Sequence, residues 1–421
     1  MADKFGLIGK ILGHSFSPEI HKNFGDYEYE LIEVAEERNL EAVIFNDEYK
    51  GFNVTIPYKK SVIKYCDEIT EKAKLSGAVN TIYKDRGRII GDNTDVDGFT
   101  YLLNKVEKPD KVLILGSGGA HGAVKVALEK SNVSEIVTIS RSGENNYKNL
   151  DKNLDADLII NTTPVGMYPN NGESPIDIKK FRNLNAVIDI VYNPYKTKLL
   201  LDAEKKGIKT ISGLGMLVAQ AKAASELWQG VKLNDNLIDK VTVKLLRNTQ
   251  NIVLIGMPGS GKSSIAKIMG RVMKKPCYDL DKEIVKHMGK TVHEIFNDDT
   301  LGESAFRDNE TEVFKELSKR TGIVIATGGG TITREENWPL IKQNGVCVYV
   351  KRDVKLLPTK GRPLSQRRGV EVIFNERAGI YESLADIVIE NNRIFKDSYF
   401  TELYNYVHKV KKGIDKYYNN L

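Results

Sequence analysis

The sequence of 421 residues has little of what marks secreted, membrane-spanning or disordered proteins. Its three cysteines, Cys66, Cys277 and Cys347, are odd in number, far apart and in no metal-ligand spacing, which favours a reducing compartment over a disulfide framework. The six histidines are scattered, so we expect no structural metal. No apolar stretch approaches the length of a membrane span. With 41% hydrophobic and 28% charged residues, the sequence predicts a globular cytoplasmic enzyme or binding protein.

The charge distribution argues for small ligands. The net charge of +6 is spread over the whole chain, which weakly favours anionic small molecules and gives no nucleic-acid surface. The densest basic segment, KRDVKLLPTKGRPLSQRRG, is short and has no interleaved aromatic residues. The length suggests about two to four domains. Whether the protein is a monomer or a homodimer is left open by the sequence.

The stretch GMPGSGKS at residues 256–263 carries the clearest chemical signal. It follows the apolar run of residues 252–255 and precedes the helix-like SIAKIMGRVM, a context typical of a P-loop. The backbone N–H groups of such a loop surround a polyphosphate, Lys262 reaches the β- and γ-phosphates, and Ser263 offers its hydroxyl to Mg²⁺. A helix that begins at Lys262 adds its positive dipole end. The alternative is a chance glycine-rich turn, but the context favours nucleoside triphosphate binding.

Residues 1–104 alternate short apolar runs with polar segments, as in an α/β domain. We expect strands at residues 5–8 and in KGFNVTIPYKK, and a helix over DEITEKAKLSGAVNTIY. Four motifs follow one another: HSFSPEIH from His14, GFNVTIPYK from Gly51, GAVNT from Gly77 and GDNTDVDG from Gly91. Each alone is an ordinary turn or helix cap. Their ordered combination resembles the substrate domain of shikimate dehydrogenases.

That resemblance implies roles for individual residues. Ser15 and Ser17 would hold the substrate carboxylate, Lys59 and Asp95 would form the catalytic pair, and the remaining substrate contacts would come from Thr55, Asn80, Asp95, Tyr192 and Gln220. Oxidation of a secondary alcohol requires loss of the hydroxyl proton, which a lysine takes if a dry pocket lowers its pKa and a carboxylate holds it. Without the motif, Lys59 beside Lys60 would be an ordinary solvated lysine. The connection between His21 and Val34 is shorter than is usual in the family, which bears on the pocket wall.

Residues 111–115 followed by GSGGAHGAVKVALEK predict a strand, a glycine turn and a helix, where a Rossmann unit binds a pyrophosphate. The strict G-x-G-x-x-G pattern is not met, because His121 stands in place of the third glycine. The turn matches the variant of the resembled family, which implies cofactor contacts from Gly116, Ser117, Gly118, Gly119 and Ala120. The same resemblance adds Thr163, Ile190 and Gly213, the last near the nicotinamide.

The strand predicted at residues 135–139 ends in Ser140, Arg141 and Ser142. An NAD enzyme would place an acidic residue in this region, whereas the guanidinium of Arg141 suits a 2′-phosphate. We therefore predict NADP as the cofactor and assign all three residues to its site. A surface arginine without a ligand is the alternative.

The domain order follows from these segments. Residues 158–167 and 186–192 predict two more parallel strands with ligand-side loops, and SGLGMLVAQAKAA predicts a helix that returns the chain to the first domain. We predict a discontinuous substrate domain (1–104 with 213–240), a Rossmann NADP domain (105–212), a linker (241–250) and a kinase domain (251–421).

A second ordered set of motifs follows the P-loop. Asp279 and Asp281 are expected on one face of a strand, ESAFRDNE supplies Arg307, and a strand at residues 323–326 leads into the glycines 328–330. RPL from Arg362 and the pattern R-x-x-x-Y from Arg377 complete the set, while no strand ends in the lone Asp of a standard Walker B motif. This order resembles shikimate kinases over residues 250–395.

The kinase resemblance implies a Mg²⁺ ion held by Ser263 and, through water, by Asp279. Asp281 would take substrate hydroxyls and, with Lys262, act in catalysis. Arg307 and Arg377 would clamp the substrate carboxylate, and Gly328, Gly329 and Gly330 would also contact the substrate, Gly329 through its backbone. The ATP site would comprise Pro258, Gly259, Ser260, Gly261, Lys262, Ser263, Ser264, Arg362 on a lid and Arg393 near the adenine. Each arginine alone would be an ordinary surface charge, but together they fit phosphoryl transfer. Apolar residues at helical spacing after Phe395 predict a terminal helix packed on this domain, with a partner surface as the alternative.

The sequence thus predicts an α/β fold throughout: a shikimate-dehydrogenase-like substrate domain plus a Rossmann NADP domain, then a P-loop domain like that of nucleoside monophosphate kinases. The resemblances imply a bifunctional enzyme of the shikimate pathway that uses NADP(H), ATP and Mg²⁺, with 3-dehydroshikimate and shikimate as substrates and no nucleic-acid or membrane partner. Two alternatives stay open. One is a quinate/shikimate dehydrogenase joined to another small-molecule kinase. The other is a ligand sensor without turnover, against which Lys59, Asp95 and Lys262 argue.

Overall fold

A computed structural model describes residues 2–13, 15–297, 302–359, 363–393 and 399–420. The chain divides into two compact units, Met1–Thr242 and Val243–Leu421. Within the described ranges, no helix combines the length and the apolar character needed to cross a lipid bilayer.

The first unit begins with a six-stranded mixed sheet. Its strands are β1 (Lys4–Gly9), β2 (Glu28–Glu33), β3 (Tyr49–Val54), β4 (Glu68–Ile69), β5 (Thr81–Asp85) and β6 (Arg88–Asp92). They lie in the order β2-β1-β3-β5-β6-β4, with β1 parallel to its two neighbours and β5 antiparallel to β3 and β6. The accompanying helices are α1 (Ser17–His21), α2 (Leu40–Ile44), α3 (Glu71–Ser76) and α4 (Asp95–Leu103). Apolar side chains on the sheet, among them Ile8, Phe52 and Ile82, are fully buried in its core.

The expectation of one long helix over residues 67–83 was wrong. Helix α3 begins after Thr70, whose hydroxyl accepts a hydrogen bond from the N–H of Ala73, and it ends at Ser76. Gly77 stops it by adopting a left-handed conformation with φ of +68° and donating its N–H to the carbonyl of Ala73. The chain is thereby released to form β5.

A five-stranded parallel sheet follows in the same unit. Its strands are β7 (Lys111–Leu115), β8 (Glu135–Ile139), β9 (Leu158–Asn161), β10 (Ala186–Asp189) and β11 (Lys209–Ser212), in the order β11-β10-β9-β7-β8. The helices are α5 (His121–Lys130), α6 (Lys198–Glu204), α7 (Leu214–Gln229) and α8 (Asn236–Thr249), and the boundary between the two units falls within α8. The chain turns to one side from β7 to β8 and to the other side with β9. A crevice for ligands is therefore expected at the carboxyl ends of β7 and β9.

The second unit is built on another five-stranded parallel sheet. Its strands are β12 (Asn251–Ile255), β13 (Cys277–Asp279), β14 (Val324–Ala326), β15 (Gly345–Lys351) and β16 (Ile387–Glu390), in the order β13-β14-β12-β15-β16. Its helices are α9 (Lys262–Met273), α10 (Leu280–Met288), α11 (Val292–Asn297), α12 (Gly302–Ser318), α13 (Asn337–Lys342), α14 (Pro363–Arg368), α15 (Val370–Leu384) and α16 (Tyr399–Asn419). Every residue of the central strand β12 is buried, which accounts for its unbroken apolar run.

Two expectations for this unit had different outcomes. Asp279 and Asp281 do not share a strand, because Asp279 caps α10 by accepting from the N–H of Lys282, so Asp281 lies in the first helical turn. The predicted terminal helix is confirmed as α16, which packs against α9 and β16. Among its described residues, the buried ones are Leu403, Tyr406, Val407, Val410, Ile414 and Tyr418. Tyr417 is not among them, because it lies off the stripe that these residues form along the helix.

Candidate active sites

The first site forms where β3, β5 and α4 meet. Nζ of Lys59 lies 2.6 Å from Oδ2 of Asp95, and their side chains are 20% and 12% exposed. The side-chain amide of Asn80 donates to the other oxygen of Asp95 at 2.9 Å and lies 3.5 Å from Oε1 of Gln220. The oxygen of the same Asn80 amide accepts from the N–H of Thr94 at 2.7 Å. The lysine and the carboxylate are therefore held in a fixed relation at a place that solvent still reaches.

Ser15 and Ser17 lie side by side, with their hydroxyl oxygens 3.1 Å apart. Behind them is a polar cluster that sequence reasoning did not assign. The ring of His21 stacks on that of Tyr29 at 4.0 Å, and both side chains bond Oδ1 of Asn53, at 3.0 and 2.9 Å. Burial lowers the pKa of His21 to about 3, so the imidazole is uncharged and acts by holding its neighbours in place.

The glycine turn after β7 fits a dinucleotide phosphate. Gly116 has φ of +101°, and a Cβ there would lie 2.8 Å from Cγ2 of Thr163, which lies in the loop after β9. At Gly118 and Gly119 a Cβ would meet nothing within 4 Å, so this stretch of backbone faces open space. A ligand can therefore approach the turn at the amino end of α5.

The departure at His121 from the glycine pattern has a structural explanation. The glycine that allows close packing of α5 is Gly122, one position after His121, because a Cβ at Gly122 would lie 2.2 Å from the carbonyl oxygen of Ser76. His121 instead turns its Nε2 to the hydroxyl of Thr138 at 2.8 Å. The pattern is shifted by one residue and is not lost.

The other predicted cofactor residues lie at the same edge of the parallel sheet. Arg141 follows β8 and is exposed, between Ser140 and Ser142. The loop after β10 brings the ring of Tyr192 to 6.1 Å from that of Phe16, which stands between the two serines described above. At the start of α7, a Cβ on Gly213 would lie 2.0 Å from the carbonyl oxygen of Ile190. This loop and α7 are therefore in direct backbone contact.

The P-loop of the second unit has the backbone that its glycines permit. Gly256, Gly259 and Gly261 have φ of +144°, +82° and +100°. Nζ of Lys262 donates to the carbonyl oxygens of Gly256 and Met257 at 2.8 and 3.0 Å, inside the curve of the loop.

A buried cluster of acids and an arginine lies beside the P-loop. Arg307 donates to Oε2 of Glu310 at 2.6 Å, and the hydroxyl of Thr331 donates to the other oxygen at 2.5 Å. Burial, followed by the charges of Glu310 and Asp279, raises the pKa of Asp281 to about 6. A carboxyl group whose pKa is raised in this way is a candidate proton acceptor.

The three consecutive glycines after β14 make room for three different parts of the site. A Cβ at Gly328 would lie 2.8 Å from Oδ1 of Asp281, one at Gly329 would lie 2.5 Å from the ring of Pro258, and one at Gly330 would lie 2.1 Å from Arg307. A side chain at any of them would displace an acid, the P-loop or an arginine.

The carbonyl of Gly329 receives two donors from α15. Arg377 donates to it at 2.9 Å, and the hydroxyl of Tyr381 does so at 2.5 Å. Arg377 and Tyr381 thus fix the position of the triple glycine, whose Gly329 lies against Pro258 of the P-loop.

Comparison with known proteins identifies both halves. Residues 7–82 match the family model of the shikimate dehydrogenase substrate binding domain, and residues 258–408 match that of shikimate kinase. An NADP-dependent shikimate dehydrogenase of Clostridium beijerinckii is 39% identical over 255 residues, which are 55% of this chain and 94% of that protein. The corresponding enzyme of Bacillus subtilis is 35% identical over 280 residues, 59% of this chain and 100% of that protein.

A solved chorismate mutase/shikimate 5-dehydrogenase fusion protein from Clostridium acetobutylicum superposes with a TM-score of 0.56 at 38% identity, over 58% of this chain and 97% of that one. The chain belongs to the shikimate dehydrogenase family. A solved shikimate dehydrogenase in complex with NADP+ also matches, with a TM-score of 0.52 at 35% identity, over 58% of this chain and 96% of that one. The predicted fold class is confirmed, and the protein is a fusion in which a shikimate kinase domain follows the shikimate dehydrogenase.

In this fusion, the structure brings together most of the predicted site residues, whose roles stay predictions. His14 and Arg362 lie outside the described residues. Arg393, predicted near adenine, lies with its guanidinium 4.9 Å from the ring centre of Tyr406.

Sequence reasoning gave no role to several residues of the shikimate kinase domain. Glu310 and Tyr381 were visible as the last residues of the motifs F-R-x-x-E and R-x-x-x-Y. Asn391 had no such signal. Its amide donates to the carbonyl of Ser260 at 2.7 Å, and only the sheet order brings the end of β16 to the P-loop.

Proposed function

We propose that this chain catalyses two successive steps of the shikimate pathway: it reduces 3-dehydroshikimate to shikimate with NADPH and phosphorylates shikimate at its 3-hydroxyl with ATP. The observation that carries the proposal is the pairing of Lys59 with Asp95 at 2.6 Å in one unit, together with a complete P-loop beside Asp281 in the other. The order of the two reactions gives the fusion a chemical reason, because the product of the first is the substrate of the second.

In the shikimate dehydrogenase, NADPH supplies the hydride, and the protein supplies the proton and the orientation. Lys59 donates its proton to the oxygen that develops negative charge, and Asp95 keeps the ammonium beside it. Ser15 and Ser17 bind the substrate carboxylate. Thr55, Asn80 and Gln220 bind ring hydroxyls, and Tyr192 closes the site from the second sheet.

The NADP site consists of the turn at residues 116–120 and the segment at residues 140–142. The open space over Gly118 and Gly119 accommodates the pyrophosphate at the amino end of α5. The exposed guanidinium of Arg141 pairs with the 2′-phosphate. Thr163, Ile190 and Gly213 bound the nicotinamide side.

In the shikimate kinase, the chain positions two anionic reactants and neutralises their charge. Lys262 and residues 258–264 bind the phosphates of ATP. Asp281 accepts the proton of the attacking hydroxyl, and Arg307 and Arg377 bind the shikimate carboxylate. Residues 328–330 place this acceptor next to the P-loop.

Mg²⁺ belongs to this site by the chemistry of its donors. The ion keeps several waters and takes few protein ligands, so the hydroxyl of Ser263 and the carboxylate of Asp279 are a suitable set. When bound, it would neutralise charge on the β- and γ-phosphates. We also infer a cytoplasmic location, because Cys66, Cys277 and Cys347 are free thiols.

Two substitutions test the division of labour. Lys262→Ala is expected to abolish phosphorylation and to spare NADP-linked oxidation of shikimate, whereas Lys59→Ala is expected to do the reverse. The matched controls are Lys267→Ala on the exposed side of α9 and Lys60→Ala next to Lys59, both exposed lysines. Both activities are measured in every preparation. Loss of both activities in either test variant, with both controls active, would refute two independent sites.

A further inference from the structure

Asp189 is a fully buried carboxylate at the end of β10 to which the proposed reaction assigns no role. Its Oδ1 accepts from the amide of Asn161 and from the N–H of Val191, both at 3.0 Å. Its Oδ2 accepts from the hydroxyl of Thr197 at 2.6 Å. All three donors are uncharged, and burial raises the pKa of Asp189 to about 7 in spite of them. Burial of a carboxyl group without a cationic partner costs free energy, so we expect its hydrogen bonds to serve a function.

The first arm of this carboxylate reaches the cofactor side. Asn161 turns its amide nitrogen to Asp189, which leaves its oxygen free to accept from both the N–H and the hydroxyl of Thr163, at 3.0 and 2.6 Å. Thr163 in turn faces Gly116 of the glycine turn, where a Cβ would lie 2.8 Å from its methyl group. The orientation of one amide thus sets the loop that follows β9.

The second arm reaches the substrate side. Val191 precedes Tyr192, whose ring lies 6.1 Å from that of Phe16, between the two serines proposed to bind the carboxylate. The carbonyl of Val191 also accepts from the N–H of Gly213 at 3.3 Å. The loop after β10 is therefore tied to Asp189 on one side and to the start of α7 on the other.

We propose that Asp189 is a positioning residue of the dehydrogenase, which holds the cofactor-side loop after β9 and the substrate-side loop after β10 in their working relation. The third bond, to Thr197, anchors the carboxylate to the amino end of α6, where the Thr197 hydroxyl also caps the helix. This role rests on the proposed function, since it concerns where the two reactants of that reaction are held.

The test separates positioning from simple stabilisation through four variants. Asp189→Ala removes all three bonds. Asp189→Asn retains a side-chain oxygen that can accept from Asn161 and Val191, but it places an amide N–H group against the hydroxyl of Thr197. Asn161→Ala cuts the cofactor arm alone, and Thr197→Val cuts the anchor and the helix cap but leaves both arms. The melting temperature of the first unit reports whether each variant is folded, and the kinase activity of each preparation normalises the amount of chain.

A loop displacement of about 1 Å costs on the order of 100-fold in rate. We therefore expect Asp189→Ala to raise the KM for both NADP and shikimate and to lower kcat/KM by roughly 10- to 100-fold. Asp189→Asn should recover most of that loss. Asn161→Ala should raise the KM for NADP more than that for shikimate, and Thr197→Val should lower the melting temperature with both KM values near those of the unaltered chain.

The proposal is overturned if Asp189→Ala leaves both KM values within about twofold of the unaltered chain, or if Thr197→Val raises them as strongly as Asp189→Ala does. If Asp189→Ala does not fold, Asn161→Ala decides, because equal effects on the two KM values refute a separate cofactor arm. Failure of the unaltered chain to oxidise shikimate refutes the proposed function instead. In that case the Kd for NADPH, measured by its fluorescence, still tests the contact from Asp189 through Asn161 to the loop after β9. An unchanged Kd in both Asn161→Ala and Asp189→Ala contradicts the proposal.

Discussion

Replacing Gly213 by alanine tests how closely the start of α7 approaches the loop after β10. The backbone there has φ of −67°, which alanine adopts without strain, so the effect comes from the added carbon alone. That Cβ would lie 2.0 Å from the carbonyl oxygen of Ile190, whereas real Cβ atoms keep beyond 3.0 Å, so helix and loop must separate by about 1 Å. Overpacking against backbone costs about 1–3 kcal/mol of stability. A displacement of this size at a reaction site costs on the order of 100-fold in rate.

The assay is NADP-linked oxidation of shikimate, with phosphorylation of shikimate measured in the same preparation. We expect Gly213→Ala to lower the dehydrogenase kcat/KM by roughly 100-fold and to leave the kinase unchanged. The matched control is Gly215→Ala in the same helix, where the new carbon would meet side chains of Leu102 and Tyr101 at 3.1 Å, which can move aside. A dehydrogenase loss of less than about threefold in Gly213→Ala, or equal losses in both variants, would refute the reasoning.

Three further outcomes are expected. Arg141→Asp should reverse the preference for NADP over NAD in kcat/KM, because the guanidinium proposed to pair with the 2′-phosphate is replaced by a carboxylate that repels it. A preference for NAD in the unaltered chain contradicts the assignment. The kinase kcat/KM should fall as the pH drops through about 6, since Asp281 then takes up a proton and no longer accepts one, and a flat profile down to about pH 5 argues against this role. Burial raises the pKa of Asp189 from 3.8 to about 7, so the folded protein loses a stabilising proton from Asp189 as the pH rises through that range. Asparagine carries no such proton, so the melting temperature of Asp189→Asn minus that of the unaltered chain should increase between about pH 5 and pH 8. A difference that stays constant with pH would count against a raised pKa.

Local sequence was sufficient where a short segment carries its own geometry. The P-loop is an example, because Gly256, Gly259 and Gly261 adopt left-handed backbone angles that other residues disfavour, at a spacing that is visible in one dimension. The fold class was confirmed for the same reason: apolar runs of strand length followed by glycine turns predict parallel α/β units. Prediction was wrong where a capping residue set the boundary of a helix against the local pattern. Gly77 ends α3 and Asp279 caps the start of α10.

The candidate sites depend on contacts that no spacing encodes. Asn80 and Gln220 are 140 positions apart, and their meeting follows from the return of α7 to the first sheet. The role of Gly122 as the close-packing glycine depends on a carbonyl at Ser76, in another element.

Residue type and short-range spacing were enough to predict the family, the α/β class and the chemistry of the motifs, because they set the backbone turns and donor groups that such chemistry needs. Which groups are desolvated and which distant backbone segments touch depends on the packed fold. That is why Asp281 has a pKa of about 6 and why Asp189 bonds two loops at once. Burial and long-range contact are properties of packed elements, and they arise only when the strands and helices have come together.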